Sequence, residues 1–442
     1  MLKSGFSRLD ITPLLGVTIP GYFNKRTASG VLDPIYATAV AFDDGEKRAV
    51  IIGLDNIGIN QIMLDEIRNI ITEKCKIARE GIFISCTHTH LGPGVAKKAV
   101  NEGKEEKEIY ENPEYTAFLK NRLCDLVSIA IKDFAETKMY YIHGRAENVA
   151  FIRRFRIKDG SIKTNPPLGC PDVVEPVGKA DEQSSLLILK RSGKPEIGIV
   201  NFQVHPDTIG GDEISADYVK FVRDTYERSI PNSKCLYING ANGNLNHRDV
   251  LGVNGALEGY ARTEHMGRKI AMSVISNYHA AKKLDGDKIS FANKSVMVRY
   301  NKGKESEIAD ALQTVKMYRE KSPETDEEFQ ELKKVVPMYV PKALRIVSNI
   351  DREEKELYLS AFAVGDVVFA GYPGEPFTEL GRYVKDNSKY KLTVVSCCAN
   401  GFEGYFPTSD AYEGGYESDS AYYIQGSGEK LMEELTKLVN TL

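Results

Sequence analysis

This sequence predicts an α/β fold whose mixed, partly parallel β-sheets are covered by helices. Three observations predict it. Short apolar runs alternate with segments whose apolar residues recur at helical spacing. Five of the apolar runs end in polar, glycine-rich clusters, as strands do where their carboxyl ends gather at a ligand-binding sheet edge. No internal repeat interrupts the alternation.

The elements follow in order. RAVIIGLDN (48–56) is apolar without a break, as a strand buried on both faces requires. NQIMLDEIRNIITEKCKIA carries a helical stripe through Met63, Ile67, Ile70 and Ile71. GIFISCTHTH (81–90) is the next strand. In the segment after it Asn112 is placed to cap a helix, with Pro113 at its first position, and the stripe runs through Tyr115, Phe118, Leu119, Leu126 and Val127. EIGIVNFQVHPD (196–207), a helix over ADYVKFVRDTYERS and CLYINGANGNLNH (235–247) repeat the alternation. DVVFAGYPGEPF (366–377), a helix and KLTVVSCCANGFEGY (391–405) repeat it again, and EKLMEELTKLVNTL closes the chain as an amphipathic helix.

Composition excludes several function classes. The 58 basic and 62 acidic residues leave a net charge of −4 and no basic stripe, which argues against a protein that binds nucleic acid by neutralising phosphates. No stretch reaches the roughly 18 apolar residues of a membrane-spanning helix. The opening MLKSGFSRLDITP has no apolar run between Lys3 and Asp10, so no secretory signal is expected. Seven cysteines, an odd number without a CxxC pair, argue against a disulfide framework or a zinc finger. A soluble, cytoplasmic protein is expected. Length alone allows two or three domains. The most charged region lies at about 302–358, and strand-like runs continue beyond it. The expectation is therefore a single catalytic domain over 1–442 with a charged helical insertion.

Chemistry is concentrated where the strands end: LDN, THTH, VHPD, NGANGN and YPGEP. Neutral imidazoles at His88, His90 and His205 and a carboxylate at Glu375 are the donor types of a catalytic zinc site, which keeps a position open for water. Two histidines two apart on extended chain point in different directions, so one can bind metal while the other faces substrate. Lone histidines in helical context, His265 and His279, read as structural. Asp55, at the end of IIGLDN, reads as a loop-fixing carboxylate near the site.

DITP, the GY at 21 and 22, CTHTHLGPG, the RR of NVAFIRRFR, VHP, YPGEPF and ANGFEGYFPTSDAYEGGYE occur here in a fixed order. In that order the chain resembles the catalytic domain of the neutral/alkaline, non-lysosomal ceramidases, from about residue 3 to the end. The resemblance implies a zinc-dependent hydrolase of N-acyl amides, with Zn²⁺ on His88, His205, Glu375 and Tyr405. It places His90 toward substrate and an arginine near the scissile group, Arg153 or its neighbour Arg154. It places a further tyrosine in the active site, Tyr412 or Tyr416.

Two departures qualify it. The family often carries a serine in a GD.S pattern, whereas the corresponding stretch here, GNLNH, begins at Gly243 and has no hydroxyl. Asparagine cannot attack a carbonyl but can donate to an oxyanion, so Asn244 is expected in that role and an activated water as nucleophile. The family's C-terminal β-sandwich has no counterpart, which favours a smaller N-acyl amide or ester over bilayer ceramide. The alternatives are a metal-dependent esterase, lactonase or phosphoesterase on the same scaffold, or an inactive metabolite-binding homologue. Oligomeric state is not read from the sequence.

Overall fold

A computed structural model of the chain describes residues 1–95, 97–102, 105–252 and 257–442, with 97–102 and 105–110 described by backbone alone. Its larger sheet contains β1 (Lys3–Asp10), β2 (Tyr36–Asp43), β3 (Arg48–Leu54), β4 (Ile82–Cys86), β5 (Ala135–Arg145), β6 (Gln183–Arg191), β7 (Glu196–Phe202) and β8 (Ser233–Asn239). They lie in the order β8-β7-β6-β5-β1-β2-β3-β4, with Lys282–Lys283 paired to β5. A second sheet has the order β9 (Ile289–Arg299), β10 (Glu354–Val364), β11 (Val367–Gly371), β12 (Leu392–Ser396). Most pairs are antiparallel. The parallel ones within these two sheets are β3/β4, β7/β8 and β11/β12.

The sheets pack face to face. Val40, Phe42, Ile51, Phe83, Ile199 and Leu236 of the first meet Phe362, Phe369 and Val394 of the second in one buried cluster. The strand period of two turns the alternate residues outward. Ala39, Val50, Ile52, Leu54 and Ile84 therefore pack under α1 (Gln61–Cys75) and α2 (Pro113–Lys132). Leu186, Ile188, Val200 and Tyr237 pack under α3 (Tyr218–Ser229) and α4 (Gly259–Ile275). This explains the unbroken apolar runs: the strands that carry them, β3, β4, β7, β8, β11 and β12, are covered on both faces.

The charged stretch joins β9 to β10, which pair over their full length from Ile289↔Val364 to Arg299↔Glu354. It forms α5 (Ile308–Lys321), α6 (Asp326–Val335) and α7 (Val340–Asn349). α8 (Thr378–Asp386) and the terminal α9 (Ser427–Thr441) cover the outer face of the second sheet.

The expected helical stripes are largely buried: Met63, Ile67 and Ile71 in α1, and Tyr115, Leu119, Leu126 and Val127 in α2. Phe118 is instead 40% exposed. Asn112 makes no side-chain cap. Its amide accepts from the Thr18 N–H at 3.2 Å and donates to the Gly94 carbonyl at 2.7 Å, tying down the turn that follows THTH. All seven cysteines are free thiols. Among the described residues no helix is long and apolar enough to cross a membrane.

Candidate metal centre

The three parallel pairs bring six strand carboxyl ends together. The seam is held by direct bonds: Cys397 N–H to Asn239 O at 3.0 Å, Cys86 N–H to Cys398 O at 3.2 Å, and the Asn239 amide to Thr87 O at 3.0 Å. His88 follows β4 with φ +71°, a left-handed conformation uncommon outside glycine. Its N–H donates to Asn56 O at 2.9 Å and its Nδ1 lies 2.7 Å from Ile57 O. His205 follows β7, with Nδ1 2.9 Å from Asn242 O and 3.0 Å from Leu245 O. Glu375 follows β11 and pairs in parallel with Tyr405. The glycine-rich loop explains itself here, because a Cβ on Gly243 would stand 2.5 Å from the Glu375 carbonyl oxygen.

Carbonyls only accept, so Nδ1 carries the proton in both rings and Nε2 of each neutral imidazole is a lone pair. Both Nε2 atoms nevertheless face one carboxylate oxygen: Glu375 Oε2 lies 3.2 Å from His88 and 3.0 Å from His205. Three donor atoms at those distances leave room for a positive charge among them. A proton serves only one pair. Burial opposes charge on His88, yet the Glu375 charge lifts it to about 9. Burial and the Arg153 charge push His205 down to about 4. Nitrogen and carboxylate donors converging in this way, each imidazole oriented by a second hydrogen bond, are the donor set of a divalent-ion site.

His90 joins them. One ligand atom each from His88, His90 and His205 lie within 4.8 Å of one another, all three residues buried. Both ring nitrogens of His90 are buried without a hydrogen-bond partner among the described residues. Burial and then the neighbouring His88 and His205 hold it well below the ordinary histidine range, hence neutral. The expectation that the two histidines of THTH would point apart is met only in part, because their rings stand edge to face with centroids 5.0 Å apart.

Tyr405 stacks on His205 at 6.3 Å, and Tyr416 meets Tyr405 edge-on at 5.5 Å. The Arg153 guanidinium lies 5.3 Å from the Tyr405 ring and 5.8 Å from that of Tyr416. It donates to the Tyr405 hydroxyl. Burial raises the Tyr405 hydroxyl well above its ordinary range and lifts Tyr416 to about 12.

The structure places the neighbouring candidates differently. Arg153 is at the centre. Arg154 points to the other side, donating to the Ala411 and Gly414 carbonyls at 2.8 Å. Tyr416 is at the centre. Tyr412 is not, since its hydroxyl donates to the Tyr423 carbonyl at 2.9 Å. Asn244 does not face the cluster either. It donates to Glu379 at 2.9 Å and accepts from the Thr378 N–H at 2.8 Å, so it anchors the start of α8 instead of presenting an amide to an oxyanion. Asp55 takes the Arg223 guanidinium at 2.9 and 2.7 Å and the Tyr36 N–H, which makes it a loop-fixing carboxylate.

Three further residues stand at the centre without a role read from the sequence, although each lies inside or beside a quoted motif. Fully buried Glu417 clamps both arginines, Oε1 at 2.7 Å from Arg153 Nε and Oε2 at 3.1 Å from Arg154 Nη1. Tyr22 donates to Asp207, and its ring lies 5.9 Å from that of His90 and under the Arg26 guanidinium at 3.8 Å. The residue types alone, tyrosine after glycine and aspartate after His-Pro, gave no chemical signal.

Two cavities meet at the cluster. One, of about 580 Å³, is bounded by His88, His90 and Glu375 and reaches to α5 and α7. The other, of about 780 Å³, is bounded by His90, Arg153 and Asp207 and reaches to α6. They share Gly21, Tyr22, Phe23, His90, Tyr405 and Tyr416.

No family model matches the sequence, and no curated protein matches it. Solved structures do. A neutral ceramidase from Pseudomonas aeruginosa superposes with a TM-score of 0.73 over 100% of this chain and 74% of that one, at 16% identity. A ceramidase complexed with C2 superposes with the same score and identity over 100% of this chain and 75% of that one. The mixed sheets covered by helices are thus a neutral ceramidase-like α/β fold, as the motif order implied, and at its seam a histidine cluster able to hold a metal ion.

Proposed function

We propose that this chain is a metal-dependent hydrolase of N-acyl amides. One observation supports it above the others: two imidazoles, each with Nδ1 held by backbone carbonyls, direct their Nε2 atoms at one Glu375 oxygen, with an unpartnered His90 beside them. His88, His205, Glu375 and Tyr405 would hold the ion, zinc on the resemblance. When bound, it supplies Lewis-acid activation of water for attack on an acyl carbonyl.

The chain's own groups do the rest. Arg153 stays cationic beside Tyr405 and Glu417, though burial opposes it, and offers its guanidinium to the oxyanion. His90, with Nδ1 and Nε2 unengaged, is the group placed to accept the proton that the attacking water sheds and to return it to the leaving nitrogen. The Tyr416 hydroxyl, protonated throughout the neutral range, is the alternative donor to that nitrogen, whose single lone pair takes one proton. Ligands drawn from both sheets support reading residues 1–442 as one catalytic unit with α5–α7 as its insertion.

Metal content and hydrolysis of fluorogenic N-acyl amides test this. His88→Ala and His205→Ala lose both metal and activity. His90→Ala keeps its metal and loses turnover. Loss of metal in His90→Ala would assign the ion to the three histidines. Stoichiometric metal in both of the first two variants would end the proposal.

A further inference from the structure

We propose that the substrate of this site is a single-chain N-acyl amide with a small polar amine half, N-acylated amino acids included, in preference to an amide with long chains on both sides. This rests on the hydrolase reading above and concerns the two compartments that flank the cluster.

The compartments differ in character. The cavity of about 580 Å³ is walled mainly by Phe23, Ile57, Val315, Leu344, Val347 and Phe402, with Arg319, Arg345 and Ser348 among its polar members, and is closed by α5 and α7. The cavity of about 780 Å³ has the more polar wall, with Lys163, Thr164, Asn165, Arg248, Gln330 and Lys333 set among Ile162, Pro166, Pro167 and Phe329. Among the described residues none of Lys163, Arg248 and Lys333 has a carboxylate within ion-pairing distance, whereas Arg153 is matched by Glu417 and Asp207 by Tyr22. Asp326 and Asp419 add acceptors to the same wall. A headgroup with both donors and acceptors suits that lining.

A septum separates them. Phe23 stacks on Phe329 with centroids 5.1 Å apart at 11°, and meets Tyr416 edge-on at 6.1 Å. The Tyr318 hydroxyl donates to the Phe23 carbonyl at 2.7 Å and fixes it. A carbonyl placed at His90, Tyr405 and Arg153 therefore sends one half of the molecule to each side. An alkyl chain gains on the apolar side by leaving water. On the other side it would strip water from three ammonium and guanidinium groups and return no hydrogen bond. A second tail thus meets the more polar of the two compartments.

The test compares four amides with the same dodecanoyl chain, in mixed micelles, on the metal-loaded full chain: those of glycine, ethanolamine, dodecylamine and sphingosine. The glycine and ethanolamine amides should have kcat/KM at least about tenfold above the two-chain amides, the scale on which pockets reject a mismatched group. Equal or better hydrolysis of the two-chain amides would overturn the inference and leave the hydrolase reading standing. Hydrolysis of none of the four would overturn both. In Arg248→Leu combined with Lys333→Leu, the ratio of kcat/KM for the glycine amide to that for the dodecylamine amide should fall about tenfold. An unchanged ratio would refute the assignment of the polar compartment.

Discussion

Glu417→Gln keeps the shape of a fully buried side chain and removes one charge. In the native chain its Oε1 lies 2.7 Å from Arg153 Nε, while Oε2 lies 3.1 Å from Arg154 Nη1 and accepts from the Thr164 hydroxyl at 2.8 Å. Without the carboxylate two guanidinium groups, both in residues less than a tenth exposed, face no acid. At an effective dielectric of about 20 each lost attraction is about 4 kcal/mol at 4 Å, and breaking buried pairs by removing one partner costs about 3–5 kcal/mol. The backbone carbonyls that also hold both arginines, Gly243 for Arg153 and Ala411 and Gly414 for Arg154, place the expected loss near the lower figure. Urea unfolding reads it as a drop in midpoint at constant slope. The released Arg153 also loses its aim. Turnover per folded molecule should therefore fall about 10²–10³-fold, as on loss of one oxyanion donor. Combining Glu417→Gln with Arg153→Met should cost less stability than the sum of the two, because one stranded charge goes with its partner. A stability loss below about 1 kcal/mol with an unchanged slope would refute the clamp.

Three other perturbations give distinct outcomes. Burial first, then Arg262 and Arg248, push the His247 imidazole down to about 3, below the usual 6.5, so the fold accommodates its neutral form. That contribution is complete above pH 6.5 and is lost as pH falls toward 3, at up to about 1.4 kcal/mol per unit or about 2 kcal/mol by pH 5. His247→Gln should flatten this acid limb in denaturation at pH 7 and pH 5, and an identical limb would contradict the assignment. Gly21→Ala puts a Cβ 2.8 Å from His90 Nδ1 at φ +107°, so kcat/KM should fall at least about tenfold along with about 1–3 kcal/mol of stability. Full turnover would show that the position of His90 is immaterial. Asn244→Ala frees the Thr378 N–H and Glu379, which should cost about 1–3 kcal/mol in denaturant while activity per folded molecule persists. Lost activity in a stable variant would return Asn244 to the chemistry.

Some of this was legible in the chain and some was not, for physical reasons. The strands read well because burial on both faces leaves unbroken apolar runs, and the ends of β3, β4, β7, β8, β11 and β12 read well because their polar clusters interrupt those runs. His88, His90, His205, Glu375 and Tyr405 stand out as donor types at such ends, and the cluster brings them together. Direction within a motif was harder. Arg153 and Arg154 differ by one residue on extended chain, where a one-residue register slip reverses the face, and nothing local fixes that register. Tyr412 and Tyr416 lie on either side of Gly414 and Gly415, both at positive φ, which swing the chain between them. Asn244 misled because an amide beside a glycine-rich loop suits an oxyanion hole and a helix anchor equally well. The anchor depends on Thr378 and Glu379, more than a hundred residues away, and Glu417 was hidden for the same reason.

Three of the nine non-glycine residues at positive φ among the described residues stand at the centre. His88, Cys398 and Asn400 take φ of +71°, +44° and +55° on two loops that bond to each other across the seam. Non-glycine residues in this region cost about 1 kcal/mol or more each, and such residues persist only where the surroundings over-determine them. The surroundings do so here. The Asn400 amide oxygen accepts from the Ile84 N–H at 2.9 Å, its own N–H donates to Ile84 O at 2.8 Å, and the Cys398 N–H donates to Gly374 O at 2.8 Å. Glycine at 88 would relieve the strain and remove the imidazole, while a relaxed residue there would turn the imidazole away from Glu375. The cost is retained where the ring points at a fixed atom, the Glu375 oxygen 3.2 Å from its Nε2.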